Sequence, residues 1–341
     1  MPPYVQRWFY FPNSFLAVDF FFCLSGFIIA YSYERRILNG MSLADFSVAR
    51  LIRLYPLYFL GSALGLLSAL ALTHAYSRNH LTPGELLTTI ALSSLLLPNL
   101  GEVWANHNVF PLNGPAWSLF FELFANLVFW FMIRSRLASK VWLLGVAGTC
   151  LVMLSLYKGP LAEAGAFSQS FTQGFARVGF SFCMGVVVFR FRENGRAAFW
   201  SRRMALVVGL TVVFLLGGML LTRGKIAELH ATQLFFVAVV SPLVVYFGSL
   251  VKLPIATEPF CSFLGDFSYP LYILHQPFLL IWGGHTAHQF SAAHPVATQL
   301  SIPVFCLAVA GITWCVGAFY DTPVRARLVS LRFRGAVRVS K

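Results

Sequence analysis

The sequence predicts an all-α fold, a polytopic bundle of transmembrane helices, and three observations predict it. Of the 341 residues, 58% are hydrophobic and only 11% are charged, which is about half the charged fraction of a soluble domain. The mean hydropathy is +0.72. Apolar runs of about 18–20 residues, the length that crosses a hydrocarbon core of roughly 30 Å, recur from end to end.

Nine apolar runs are long enough to predict nine membrane spans. A tenth apolar piece, residues 86–100, is short and ends in Pro98-Asn99, so we predict a re-entrant or interfacial segment there. The whole chain, residues 1–341, is predicted to form a single membrane domain with a basic cytoplasmic tail at residues 320–341. The predicted spans lie near residues 14–33, 55–75, 115–133, 140–157, 171–190, 204–222, 231–250, 263–283 and 298–319.

The distribution of basic residues predicts the orientation of the spans. If the first span runs from outside to inside and residues 86–98 do not cross, 19 of the 25 lysines and arginines lie in inside segments, five lie outside, and Arg177 lies within a span. Basic residues favour the cytoplasmic side of a membrane. This orientation predicts a cytoplasmic C-terminus and an outside Met1, and an outside start indicates one further helix before the first span.

The formal net charge of +13 would suggest nucleic acid as the partner of a soluble protein. In this chain basic cytoplasmic loops account for the charge, so we expect a lipid bilayer and no nucleic acid. The six cysteines lie in or beside apolar runs without a CxxC pair, which is typical of small buried side chains. Solvated loop histidines are the simpler interpretation of His285, His288 and His294, and we expect no metal site.

The segment 14-SFLAVDFFFCLSGFIIAYSYERR-36 is apolar enough to span a bilayer and yet carries Asp19 near its start. A charge inside a membrane is costly and usually marks a pathway or a site. Ser25 and Gly26 in the same run are small, so another helix can approach closely there.

Arg50 and Arg53 precede the second span and are three residues apart, so they share one face of a helix. Guanidinium forks bind phosphate groups in a two-pronged fashion. Anchoring of positive charge at the cytoplasmic edge is the alternative interpretation of this pair.

The run 110-FPLNGPAWSLFFELFANLVFW-130 places Glu122 about one turn after Trp117 and Ser118. A carboxylate within a span faces the bundle interior. Glu122 is therefore either a structural hydrogen-bond partner, with Arg177 as the candidate donor, or a general base or a group that orients one.

A third run, 265-GDFSYPLYILHQPFLLIW-282, places His275 in the middle of a span near Tyr269 and Tyr272. A lone buried histidine is commonly a satisfied core residue. Inside a membrane, an ionisable side chain more often has a functional role, so both interpretations of His275 stay open.

Taken together, these runs resemble the integral-membrane acyltransferase-3 family, which includes bacterial O-antigen, exopolysaccharide and Nod-factor O-acetylases and macrolide acyltransferases. The resemblance follows the family's order and spans nearly the whole chain. Its pieces are VDFFFCLSGFIIA, the Arg50 and Arg53 pair with RLYPLY, GPAWSLFFELFAN, FSYPLYILHQPFL and the closing 319-FYDTPVRARL-328.

The resemblance implies transfer of an acyl group, commonly acetyl from acetyl-CoA, to a hydroxyl of a glycan or lipid-linked sugar at a bacterial inner membrane. It implies that Arg50 and Arg53 bind the acyl-CoA. The family's Trp-Ser-x-x-x-Glu pattern matches Trp117, Ser118 and Glu122, which implies a site role for Glu122. The candidate catalytic residues are Glu122, Ser118 and His275. Further candidate site residues are Asp19, Trp117, Arg177 and Tyr272.

One departure from the family concerns the catalytic base. Family members usually begin with an additional helix that carries an arginine and a histidine, and this histidine is taken to be the base. Residues 1–14 contain no histidine and are too short to span. We expect either a chain that starts at an internal methionine, or a shortened protein that is inactive or uses another base, with His275 the leading candidate.

Our hypothesis for the mechanism has four parts. The CoA phosphates bind Arg50 and Arg53, and the acyl arm runs between the helices at 14–33 and 115–133. A base, which we expect the additional first helix to supply, takes the proton of the attacking hydroxyl, a step worth roughly 10²–10⁴ in rate. Glu122 orients that base or the acceptor. Asp19 stands where other members often carry a different residue, so helix pairing and lining of the acyl channel are both open for it.

Two other classes of function remain as alternatives. A membrane transporter of a polar or acylated substrate would use the intramembrane charges as a substrate or proton path. A non-catalytic relative of the enzymes is the other alternative. The charges that would form the path in a transporter are Asp19, Glu122, Arg177 and His275.

Overall fold

The computed structural model describes residues 13–71, 82–101, 107–194, 204, 207–211, 214, 217–218, 229–251, 255–285 and 295–333. Over these residues the regular secondary structure is helical and contains no strand, which confirms the predicted all-α class. The helices are α1 (Leu16–Leu38), α2 (Leu43–Ala71), α3 (Pro83–Ser94), α4 (Ala116–Arg134), α5 (Lys140–Leu156), α6 (Phe171–Asn194), α7 (His230–Leu250), α8 (Glu258–His285), α9 (Pro295–Val316) and α10 (Thr322–Phe333).

Six helical segments of the described chain are long and apolar enough to cross a membrane, which supports the predicted membrane bundle. Helix α5 is shorter, at 17 residues, and α8 is long, at 28 residues, but carries more polar side chains. Residues 204–222 lie largely outside the described residues. Nine spans therefore stays a prediction. The six segments are Leu16–Leu38, Leu43–Leu70, Ala116–Arg134, Ser168–Glu193, His230–Leu250 and Ser301–Arg332.

The contacts divide the described chain into two compact units. Unit I contains the described residues between 13 and 43 and between 120 and 251. Unit II contains those between 44 and 119 and between 255 and 333. Helix α4 begins in unit II and continues into unit I, because the division falls between Leu119 and Phe120.

Helices α1 and α6 pack side by side in unit I and run in the same direction. Asp19 bonds to Arg177 near the start of both helices, and Glu34 bonds to Arg190 near the end of both. If residues 86–98 crossed the membrane, the spans before α6 would leave it antiparallel to α1. The parallel pair thus supports the prediction that residues 86–98 do not cross.

The backbones of α1 and α6 approach closely at two glycines. A Cβ atom on Gly185 would lie 2.0 Å from the carbonyl oxygen of Cys23, and a Cβ atom on Gly26 would lie 2.1 Å from that of Phe182. Small residues at a helix interface allow van der Waals contact between backbones, which is a main source of helix association in membranes. The prediction that Gly26 admits a neighbouring helix is confirmed.

In unit II, helices α2 and α8 also run in the same direction. The Tyr269 hydroxyl donates to the carbonyl oxygen of Leu54, and one turn further along α8 the Ile273 carbonyl lies near Gly61. Pro277 has no N–H group, so it cannot donate to the carbonyl of Ile273, four residues before it. The Nδ2 group of Asn113 donates to this oxygen instead, at 3.1 Å.

The short helix α3 ends against α2 in unit II. At about 18 Å for 12 residues it is shorter than the roughly 30 Å hydrocarbon core. Tyr55 and Tyr58 donate hydrogen bonds to the last carbonyls of α3, at Ser94 and Ser93. The chain then returns along α2, because the Leu112 carbonyl lies where a Cβ atom on Gly65 would be.

The last apolar helix continues beyond the predicted span. Helix α9 is joined to α10 by a π-helical turn, Gly317–Asp321, and α10 reaches Phe333. Most of the segment predicted as a basic tail is thus helical in the described residues. The Arg332 side chain bonds to Asp45, near the start of α2, at 3.0 Å.

Candidate active site

Arg177 is fully buried in unit I and all five of its N–H groups have acceptors. The Nε and Nη2 atoms donate to the two carboxylate oxygens of Asp19 at 2.8 and 2.7 Å. The second Nη2 hydrogen bonds to the carbonyl of Phe15 at 2.8 Å. Nη1 donates to the carbonyls of Leu161 and Ala164 at 3.0 and 3.3 Å.

The two-pronged partner of Arg177 is Asp19 and not Glu122, which was one of two interpretations of Glu122. The other interpretation, a general base or a group that orients one, stays a prediction. A buried guanidinium needs a partner that offers charge and planar two-pronged geometry, and Asp19 supplies both with its side chain 0% exposed. The structure thereby favours helix pairing as the role of Asp19, since the pair joins α1 to α6 and to the connection before α6.

Glu122 lies in unit I, on α4, and accepts a hydrogen bond from the Ser25 hydroxyl at 3.0 Å. Its side chain is partly buried. The bond joins α4 to α1, the two helices between which the sequence predicts the acyl arm. A partly buried carboxylate that is held by a hydroxyl can accept a further proton or hydrogen bond.

Ser118 lies on the first turn of α4, in unit II, beside Tyr272 of α8. Its hydroxyl donates to the Pro115 carbonyl at 3.0 Å and contacts the Tyr272 hydroxyl at 2.8 Å. The Tyr272 hydroxyl also reaches the same carbonyl, at 3.2 Å. Neither partner is a base near neutral pH, so this geometry does not activate Ser118 as a nucleophile.

His275 is held by its own helix in unit II. Its Nδ1 atom lies 3.1 Å from the Leu271 carbonyl and 2.7 Å from the Tyr272 carbonyl. A carbonyl oxygen only accepts, so Nδ1 carries a proton. In the neutral imidazole this leaves the lone pair on Nε2. Nε2 is thus the ring nitrogen that can accept a proton.

Arg50 and Arg53 lie on α2 in unit II, three residues apart as predicted, but the two side chains differ in burial. Arg50 is buried, with 6% of its surface exposed, and Arg53 is exposed. Leu54, which follows them, is buried and accepts the hydrogen bond of Tyr269. One arginine of the pair can thus lie inside a binding site while the other meets solvent.

Trp117 is buried in unit II and precedes Ser118 on α4. The family pattern singled out Trp117 without a role, and the structure shows its side chain packed within the protein. Within the described residues, no group of three or more histidine, cysteine or acidic side chains is arranged to hold a metal ion. Of the histidine cluster, His288 and His294 lie outside the described residues.

Sequence reasoning missed Asn113 and Asp321. Asn113 is buried and replaces the helix donor that Pro277 lacks. Asp321 is also buried, in the motif FYDTPVRARL, and pairs with Arg325. In the sequence, Asn113 is a polar residue just before a predicted span, and Asp321 is an acidic residue just after one. Neither position indicates which group the side chain contacts.

Residues 2–321 match the family described as an acyltransferase domain, Acyl_transf_3. This match covers nearly the whole chain, and the protein belongs to the acyltransferase-3 family. It is therefore a membrane acyltransferase by family, built as a helical bundle.

Two curated relatives are similar to parts of the chain. "Protein 2 in picA locus" from Rhizobium radiobacter is 37% identical over 153 residues, which is 41% of this chain and 78% of the relative. The exopolysaccharide production protein ExoZ from Rhizobium meliloti (strain 1021) is 27% identical over 264 residues, which is 76% of this chain and 74% of the relative. No solved structure gives a significant match.

Proposed function

We propose that this protein transfers an acyl group from acyl-CoA to a hydroxyl of a glycan or lipid-linked sugar. The observation that carries the proposal is the family match over residues 2–321. His275 is the candidate base because Nδ1 bonds to the Tyr272 carbonyl at 2.7 Å, which leaves Nε2 as the nitrogen that can accept a proton. Family membership supports the acyl transfer, and the name of the exopolysaccharide production relative supports a glycan acceptor. Acetyl is the acyl group that the family resemblance favours.

His275 is the proposed general base. An alcohol is a poor nucleophile at neutral pH, and a positioned base contributes about 10²–10⁴ in rate. In the proposed step, Nε2 takes the hydroxyl proton as the oxygen attacks the thioester carbon. The carbon–sulfur bond then breaks, the ester forms, and the CoA thiolate leaves and takes up a proton.

Arg50 and Arg53 are the proposed binding residues for the phosphate groups of acyl-CoA. A buried and an exposed guanidinium three residues apart on α2 offer two forks to a ligand that arrives from solvent. The basic segments predicted to lie inside the cell correspond to the compartment that holds acyl-CoA. A bacterial inner membrane with a cytoplasmic C-terminus is the corresponding proposed location.

The remaining predicted residues have supporting roles in this proposal. Glu122 stays a proposed catalytic residue, held on α4 by the Ser25 hydroxyl at 3.0 Å, and Ser118 holds Tyr272 by the 2.8 Å contact between their hydroxyls. Trp117 packs the start of α4. Asp19 and Arg177 hold α1 and α6 together, so their contribution to the reaction is indirect.

The proposal is tested with protein purified in lipid nanodiscs, with acetyl-CoA as donor and a lipid-linked saccharide extract as acceptor. Release of the CoA thiol and labelling of the saccharide are measured together. His275→Gln is expected to lower kcat by about 10²-fold or more. The matched control is His230→Gln. His230 lies on α7, and its ring hydrogen bond in the described structure joins Nε2 to the Leu154 carbonyl.

The arginine assignment is tested by the double variant Arg50→Ala with Arg53→Ala. We expect KM for acetyl-CoA to rise by about 10-fold or more, since charge-assisted hydrogen bonds are lost. Arg332→Ala, which removes only the surface bond to Asp45, is the control. An unchanged KM in the double variant, or transport of the donor without thiol release in the wild type, would contradict the proposal.

Ser118→Ala separates a positioning role from a nucleophilic one. Because the Ser118 hydroxyl bonds to a carbonyl and a phenol, we expect the variant to keep most of the wild-type kcat and to release one acylated product for each CoA thiol. A labelled acyl-serine at position 118 in the wild type would show that Ser118 is a nucleophile instead.

A further inference from the structure

Unit II contains a cavity of about 190 Å³ between the first half of α8 and the end of α9. It has room for about six water molecules at roughly 30 Å³ each, so it is larger than a site for a single ion. The polar lining consists of Asp266, Thr313, Asp321, Thr322 and Arg325. The closing motif FYDTPVRARL supplies three of these five side chains.

The deepest polar groups of the cavity make no hydrogen bond of good geometry to the residues that the structure describes. Thr313 and Asp321 are both 0% exposed. The Thr313 hydroxyl and both oxygens of Asp321 have no hydrogen bond of acceptable geometry, although Asp321 forms an ion pair with Arg325 at 2.5 Å. Buried polar groups are normally hydrogen-bonded, so these atoms point to a ligand that supplies N–H or O–H donors.

The charges around the cavity restrict the chemistry of that ligand. Asp321 interacts electrostatically with Asp266 as well as with Arg53 and Arg325. Two carboxylates disfavour a simple anion, and two arginines disfavour a simple cation. A ligand with N–H donors at one end and phosphate groups at the other satisfies both pairs.

Aromatic side chains complete the lining of the cavity. The rings of Phe263 and Phe267 lie parallel, with centroids 5.7 Å apart and an interplanar angle of 7°. Trp314 lines the cavity from α9. Flat ring systems stack on such faces, and stacking on aromatic side chains is a general means of binding nucleic-acid bases.

We propose that this cavity binds the amino-substituted purine of the acyl donor, with the exocyclic amine directed to the carboxylates and the phosphates directed to Arg53 and Arg325. The proposal rests on the proposed function, because acyl-CoA is the nucleotide-bearing donor named there. It assigns the nucleotide end of the donor to α8 and α9, and it gives the motif FYDTPVRARL a binding role.

The test compares two donors, acetyl-CoA and acetyl-4′-phosphopantetheine, which lacks the adenosine 3′,5′-bisphosphate. In Asp266→Ala, KM for acetyl-CoA is expected to rise by about 10-fold, the loss that one hydrogen bond to a charged group causes. KM for acetyl-4′-phosphopantetheine is expected to stay unchanged. Glu258→Gln is the matched control, because Glu258 is an exposed acidic residue on the same helix and does not line the cavity.

A binding measurement makes the test independent of catalysis. Adenosine 3′,5′-bisphosphate is titrated into the purified protein in nanodiscs, and its Kd is expected to rise about 10-fold in Asp266→Ala and in Thr313→Val. Unchanged thermal unfolding of these variants excludes misfolding. Equal Kd values in the wild type and both variants would overturn the cavity assignment, even if thioester transfer is intact. Absent transfer with intact nucleotide binding would overturn the proposed function alone.

Discussion

Asp19 and Arg177 form a fully buried two-pronged ion pair in unit I, with donor–acceptor distances of 2.8 and 2.7 Å. The pair joins the start of α1 to α6, and the same guanidinium binds the carbonyls of Leu161 and Ala164. One side chain therefore holds three segments of the chain together within the unit.

Removal of one member of this pair is expected to destabilise unit I. Asp19→Asn should lower the free energy of unfolding by about 3–5 kcal/mol, because it leaves a buried charge without its partner. Thermal unfolding in detergent micelles measures the loss. The combined variant Asp19→Leu with Arg177→Met should recover only part of it, because no unpaired charge remains but the carbonyls of Phe15, Leu161 and Ala164 lose their donor.

The control for this pair is Glu193→Gln, which removes the exposed bond to Arg35. An exposed pair of this kind contributes at most about 1 kcal/mol. If Asp19→Asn and Glu193→Gln unfold at the same temperature, the buried pair does not have the structural role assigned to it.

The contact of α1 with α6 gives a second prediction. Gly185→Ala should destabilise the protein by about 1–3 kcal/mol, because the added Cβ atom would lie 2.0 Å from the backbone oxygen of Cys23, which cannot move away as a side chain would. Gly148→Ala on α5 is the control. Nothing lies within 4 Å of a Cβ atom there, so we expect a gain of up to about 1 kcal/mol from helix propensity. Equal effects of the two substitutions on the unfolding temperature would contradict the close packing.

A third prediction concerns the carbonyl of Ile273. Asn113→Ala should cost about 1–3 kcal/mol, since it leaves this buried oxygen without a donor. Pro277→Ala supplies a backbone N–H four residues after Ile273, so Asn113→Ala should cost less in that background. A double-mutant cycle of unfolding free energies measures the difference. Strict additivity of the two substitutions would show that Asn113 does not replace the missing helix donor.

A fourth prediction is a pH dependence at the start of α3. Hydrogen bonds from the backbone and then the side chain of Thr82 lower the pKa of the Glu85 carboxyl from its usual 4.5. A lowered pKa in the folded state means that this stabilisation is present above about pH 4.5 and is lost as the pH falls through the folded value. The protection factors of the amides of residues 86–94, which are their exchange rates relative to the intrinsic rates at each pH, should therefore fall below that pH. Glu85→Gln should remove most of the acid-dependent change, and an identical pH profile in this variant would refute the assignment.

The sequence predicts which charges lie inside the membrane but not their pairing. Asp19 and Glu122 both lie in predicted spans and near the same predicted side as Arg177, so depth does not distinguish them as partners. The choice depends on which helices are neighbours, and a single sequence contains no signal for that. The sequence therefore left Glu122 as a candidate partner of Arg177 where the structure has Asp19, whereas the all-α class followed from composition and apolar run length alone.

The role of His275 shows the same limit in a different form. Its mid-span position was evident from the run of apolar residues around it. The hydrogen bonds that fix its tautomer arise from the carbonyls three and four residues earlier on α8, and they depend on the side-chain rotamer. Residue type and spacing predict where an ionisable group lies, but packing decides which of its nitrogen atoms carries the proton.

The bond between Arg332 and Asp45 determines what a topology reporter can measure. It holds the end of α10 beside the start of α2, at 3.0 Å, so both points lie on one face of the bilayer. A single reporter domain fused after Lys341 therefore also reads out the side of the α1–α2 connection. One such fusion assigns an orientation to three helices at once, and with it the side from which a donor reaches Arg50 and Arg53.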